Sequence, residues 1–202
     1  MKLYIASASP FARKVAVIVA EHGLGTRVEL LPAATTPVSP NPDIARSNPL
    51  AKIPTLLLDD GSALYDSPVI CEYLDHVSGA PRLFPPAGPA RWSALRRQAL
   101  ADGLMDAAIL LRYEGALRPE ALRWPEWVAG QTGKVTASLE AMESDASITG
   151  DGFDIGHVGF ASALGYLDFR FPDMNWRNGR PRLSAWFAKV SERPSLQSTV
   201  PK

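Results

Sequence analysis

One cysteine, Cys71, stands in 202 residues, so the chain forms no internal disulfide and no multi-cysteine metal site. That scarcity fits a reducing compartment. An excess of charge of one sign is also missing. Lys plus Arg and Asp plus Glu each number 21, which leaves no whole-chain field to draw the protein to nucleic acid or to an anionic membrane. In MKLYIASASPFARKV the apolar residues are interrupted by serines, a proline, Arg13 and Lys14, so neither a signal peptide nor a membrane span is expected there. The expectation is a cytoplasmic protein with no metal and with neither nucleic acid nor membrane as partner. Apolar residues, at 46%, suffice for a sizeable core. Proline is abundant: its 18 residues exceed the usual share of about 5%, and several stand where helices should begin.

Residues 2–6 are β-type, and Ser9-Pro10 opens a helix with Phe11, Val15, Ile18, Val19 and His22 at helical spacing. Gly23 and Gly25 end it, and Arg27 to Leu31 give a second strand, parallel to the first. The polar, Pro-rich stretch from Pro32 to Pro49 has room for one short helix around Asp43 to Ser47. Ile53 to Leu58, the turn Asp59-Asp60-Gly61-Ser62 and Ala63 to Tyr65 predict a hairpin. Asp66-Ser67-Pro68 then opens a helix with Val69, Ile70, Tyr73, Leu74 and Val77 on one face. Residues 78–90 hold four prolines and two glycines and read as a linker. Beyond it the patterns are helical: 91–117, 124–142, a helix capped near Asp154, and Pro181 to Val190. The predicted fold is an α/β domain over 1–77 followed by an all-α domain over 91–202.

Three places can carry chemistry. A helix start has unpaired N–H groups and a partial positive charge, so an anion beside Ser9 is stabilised; the plain alternative is that Ser9 only caps its helix. Lys52-Ile53-Pro54 precedes a strand, where a cis X-Pro bond turns the Ile53 backbone outward to pair with an extended peptide; the alternative is an ordinary trans proline at a strand edge. Ser67 can cap its helix and bind a ligand carboxylate while Asp66 pairs with an ammonium; the alternative is a cap and a solvated acid.

Taken together, SPFxRK at Ser9 to Lys14, NPLAKIPTL at Asn48 to Leu56, YDSPVICEYL at Tyr65 to Leu74 and GDGFDIGHVGFASALGYL at Gly150 to Leu167 resemble the glutathione transferase superfamily over essentially the whole chain. The resemblance implies a thioredoxin-like N-terminal domain that binds glutathione as co-substrate and a helical domain that contributes the pocket for a small electrophile. It implies that Ile53, before cis Pro54, pairs with the cysteinyl backbone and that Asp66 and Ser67 hold the γ-glutamyl end. It implies further that Lys52 reaches the glycyl carboxylate or a neighbouring polar group and that Phe11 belongs with the glutathione-binding residues. Ser9 takes the catalytic position of the glutaredoxin-like classes, while Ser7 lies nearer the serine of other classes. A homodimer is implied as well.

Lowering a thiol pKa from about 8.5 to roughly 6.5 requires about 2.7 kcal/mol. A hydroxyl donating to an anion supplies roughly 1.5 to 3 kcal/mol and a helix N-terminus about 0.3 to 1. Ser9 and its helix together can therefore supply it, with Ser9 as the hydrogen-bond donor to a thiolate that attacks an electrophilic carbon or a peroxide. Serine cannot form a mixed disulfide, which disfavours thiol exchange at this position. The alternative function is a binding or regulatory protein that kept the fold with little or no turnover.

Met105 and Tyr113 are the expected co-substrate pocket residues, with Asp102, Asp106, Arg112 and Glu114 near its edge. Asp154 and His157 are expected to cap their helix, and Cys71 to lie in the core. Trp124, Trp127, Trp176 and Trp186 read as packing residues, His22 and His76 as solvated helix ends, and Arg96-Arg97 as a solvated face.

Overall fold

The computed structural model of the chain describes residues 1–79 and 83–202. Residues 80–82 of the expected linker lie outside the described residues. Strand β1 (Lys2–Ile5) leads into helix α1 (Pro10–Glu21) and strand β2 (Glu29–Pro32), then helix α2 (Pro42–Ser47), strands β3 (Thr55–Leu57) and β4 (Ala63–Leu64) and helix α3 (Ser67–Ser78). The sheet order is β2-β1-β3-β4, with β1 parallel to β2 and antiparallel to β3, and β3 paired antiparallel with β4. Leu3 sits opposite Leu30 on one side and Leu56 on the other, so the middle of the sheet is aliphatic. Helices α1 and α3 pack together against it, burying Val15, Ile18, Ile70 and Leu74 with Leu3 and Leu56.

The helical part comprises α4 (Gly88–Ala116), α5 (Pro125–Ser144), α6 (Ile155–Arg170), α7 (Pro181–Val190) and α8 (Pro194–Gln197). Helix α4 begins three residues earlier than 91 because Gly88-Pro89-Ala90 supplies its first turn. The prolines do what their spacing predicts. Each α-helix except α6 has one at its first or second position, where a missing N–H leaves no bond unmade. Helix α6 starts instead on a reciprocal cap: the Asp154 carboxylate accepts from the His157 amide at 3.2 Å, and His157 Nδ1 accepts from the Asp154 amide at 3.1 Å. Residues 155–167 of α6 are buried on every side, as expected of a helix apolar all round at the centre of a bundle.

Several surface assignments are corrected. His22 is no solvated end: its ring meets Asp75 at 2.9 Å, and both side chains are buried. Arg97 is buried and paired with Asp154, while Arg96 alone is solvent-facing. Trp176 and Trp186 pack in the core as expected, but Trp124 and Trp127 are 58% and 39% exposed, because they open α5 at the outer end of the domain. On α3 the inward face is Ser67, Ile70, Cys71, Leu74 and Asp75, and Val69 points outward at 48% exposure.

Candidate active site at the start of helix α1

Ser9 is the N-cap of α1, and its Oγ accepts from the Ala12 amide at 3.3 Å. That bond uses a lone pair, so the Ser9 hydroxyl proton remains to be donated. Ser7 is exposed, and its hydroxyl already donates to the Lys202 carbonyl oxygen at 3.2 Å. The two candidate serines thus differ in what their protons are doing.

The Ile53–Pro54 bond is cis, as the family resemblance implied, and not the trans proline that was the alternative. Ile53 lies just before β3, and its backbone N–H and C=O take no partner among the described residues. Lys52 is exposed, and its carbonyl accepts from Asn48 Nδ2 and Thr55 Oγ1, which ties the turn to the strand.

Ser67 does not cap α3. Asp66 takes the N-cap position with no side-chain cap bond, and Ser67 is the first helical residue. Its side chain is 1% exposed, and its Oγ has no hydrogen-bond partner. A buried hydroxyl without a partner costs free energy, and beside the unpaired amides of a helix start it is arranged for an anion. Asp66 stays exposed at the rim.

Two cations of the SPFxRK motif, whose partners the local sequence did not show, organise the surroundings. Lys14 is wholly buried, with Nζ 2.6 and 2.9 Å from the two Asp102 carboxylate oxygens on α4 and 5.8 Å from the Phe11 ring centroid. Burial pushes the Asp102 carboxyl above the usual range despite the Lys14 ammonium. Burial likewise raises Asp106, with Lys52 drawing it down and Asp66 adding to the rise, so α4 carries its acids to the same corner as the glutathione-type motifs. Arg13, also buried, donates Nη2 to the Leu196 carbonyl at 3.2 Å; burial lowers its pKa to about 10, with Asp168 opposing. Its guanidinium lies where a side chain on Gly165 would stand, so Gly165 lets α6 close on α1.

Of the two expected pocket residues, Tyr113 is partly exposed on α4, whereas Met105 is 0% exposed and sits in the core, so it offers no surface to a co-substrate. Tyr166, which sequence reasoning missed, is 4% exposed; burial lifts its phenol to about 12 against the pull of Arg170, with Tyr113 and Arg112 also acting on it. Cys71 is fully buried, and burial pushes its thiol to about 12, far from a reactive thiolate. No group of three or more metal-ligating side chains occurs among the described residues, and no described helix is long and apolar enough to cross a membrane.

The comparisons agree with this geometry. Residues 8–77 match the glutathione S-transferase N-terminal domain family, and residues 125–189 match the glutathione S-transferase C-terminal domain family. The chain is 32% identical to the uncharacterized GST-like protein YibF of Escherichia coli (strain K12), covering 100% of this chain and 98% of that one. A crystal structure of a glutathione transferase family member from Pseudomonas fluorescens Pf-5, with bound glutathione, superposes with a TM-score of 0.97 at 45% identity, covering 100% of this chain and 98% of that one. A further structure from that organism, with bound S-(propanoic acid)-glutathione, gives 0.92 at 44%, covering 100% of both chains. The order of elements, the cis proline before β3 and the matches along the chain lead to one conclusion: this protein belongs to the glutathione S-transferase superfamily.

Proposed function

We propose that the protein is a glutathione transferase: it binds glutathione across the ends of α1, β3 and α3 and activates its thiolate for attack on an electrophilic carbon or a peroxide. The observation that carries this is the pair of unspent hydroxyls, Ser9 with a proton to give and Ser67 buried with no partner. Ser67 and the α3 amides take the γ-glutamyl carboxylate, Asp66 its ammonium, the Ile53 backbone the cysteinyl unit, and Lys52 the glycyl carboxylate. Phe11 covers the tripeptide. Ser9 then donates to the sulfur, stabilising the thiolate by roughly 1.5 to 3 kcal/mol. Two structures of one similar protein hold glutathione and an S-substituted glutathione, which supports the same ligand here.

Glutathione-agarose retention followed by conjugation assays tests this. Ser9→Ala is expected to lower kcat about 10- to 100-fold with glutathione affinity kept, and Ser7→Ala to change little. Absence of retention supports a protein that kept the fold without the ligand. The exposure of Val69 and Trp92, 48% and 68%, on the outer face of α3 and α4 supports a homodimer through that face; sedimentation of Trp92→Glu checks it. The single, fully buried thiol supports a cytoplasmic setting.

A further inference from the structure

Among the described residues, every arginine side chain but three holds a hydrogen bond or an ion pair; the three are Arg112, Arg170 and Arg182. Two of them meet. Gly156 packs on Ala94 and Arg97 and Gly159 on Gln98 and Ala101, so α4 and α6 advance together as parallel neighbours. Continuing that register by whole turns brings Tyr166 beside Ala108 and Arg170 beside Arg112. Consistently, Arg112, Tyr113 and Arg170 all act electrostatically on Tyr166.

Two acids of α4 and α6 are already committed. Glu114 accepts from Arg118 and the Trp124 amide, and Asp168 from Trp176 and Arg177. Arg170 is held in place by stacking on Phe169, 4.1 Å from its ring centroid. The Tyr113 and Tyr166 hydroxyls have no hydrogen-bond partner among the described residues. The corner adjoins the proposed sulfur site, because Gly165, next to Tyr166, packs on Arg13, one turn along α1 from Ser9.

Building on the proposed transferase reading, we propose that Arg112 and Arg170, with the Tyr113 and Tyr166 hydroxyls, form an anion subsite that selects electrophiles carrying a carboxylate. Two guanidiniums and two hydroxyl donors suit a carboxylate's two oxygens. The reaction that fits is addition to an α,β-unsaturated acid. The glutathione sulfur bonds to the β-carbon as the alkene π bond breaks, and the electron pair passes to the α-carbon, which takes a proton from water. Arg112 and Arg170 hold the acid in place and touch no bond that changes.

Calorimetry with glutathione, S-(2-carboxyethyl)glutathione and S-propylglutathione tests the subsite without needing turnover. The carboxyl adduct is expected to bind about tenfold more tightly than the propyl adduct. In Arg112→Ala/Arg170→Ala that preference should vanish while glutathione itself binds as before, and Arg112→Lys/Arg170→Lys should restore part of it. Equal binding of the two adducts by the parent protein, or a preference that survives in the alanine variant, overturns the subsite and leaves the transferase reading standing. Failure to bind glutathione at all overturns both.

Discussion

Gly156 is where α6 lies closest to α4, and filling it tests the packing on which the pocket corner depends. A Cβ at Gly156 would stand 2.5 Å from Arg97 Cβ and 2.9 Å from the Ala94 carbonyl oxygen, whereas carbon atoms in contact prefer about 3.5–4.0 Å. Neither neighbour is the loose end of a flexible chain. The helices must part by roughly 1 Å, at a cost of about 1–3 kcal/mol, and the Arg97–Asp154 pair at the start of α6 is pulled with them. Alanine returns at most about 1 kcal/mol of helix propensity, so Gly156→Ala should be destabilising by up to about 2 kcal/mol, or up to about 8 °C in Tm for a chain of this size. Gly133 is the control, an exposed residue in α5 with nothing within 4 Å of the added carbon. There the same substitution should stabilise by roughly 0.5–1 kcal/mol. Urea unfolding of both variants, followed by far-ultraviolet circular dichroism, gives the two signs side by side. A Gly156→Ala variant at least as stable as the parent would refute the packing argument, and with it the register that brings Arg112 to Arg170.

Ser67→Ala should raise the glutathione Kd by about 10- to 100-fold, yet leave the free protein as stable as before or more so by about 1 kcal/mol, because the hydroxyl it removes has no partner; calorimetry and unfolding curves report the two effects separately. Cys71 should resist iodoacetamide in the folded protein at pH 8 and react fully in denaturant, as a buried thiol raised to about 12 requires; mass spectrometry reads the adduct. Burial opposes ionisation of Glu21, but hydrogen bonds from Arg193 and Ser195 outweigh it and hold its carboxyl below the ordinary range. Its stabilisation is therefore complete above the unfolded pKa and is lost as pH falls through the lower folded pKa. Glu21→Gln should lose about 1–2 kcal/mol at pH 7 and show a flatter acid limb in denaturation, and an unchanged limb would discard the linkage.

What could be read from the sequence was local. Ser9-Pro10 and Asp154 stand at helix starts because caps and first-turn prolines act within four residues. The hairpin of β3 and β4 follows from one turn between two apolar runs. What stayed hidden spans the chain. Lys14 meets Asp102 across 88 positions and His22 meets Asp75 across 53, and no periodicity signals such a pair. Met105 was misplaced because α4 is rich in alanine, so its sequence pattern hardly distinguishes an inner face from an outer one. The Gly156 and Gly159 pair was the available clue to the close α4–α6 contact, and through it to Tyr166 and Arg170.

Helix α1 has a foot in each half of the molecule, and this limits how the halves can be exchanged. Its ammonium at position 14 is neutralised by a carboxylate from the helical part, and its guanidinium at position 13 rests on the bare backbone of Gly165 and the carbonyl of Leu196. A hybrid joining the front of one relative to the back of another inherits a stranded charge or a steric clash unless positions 13, 14, 102 and 165 change hands together.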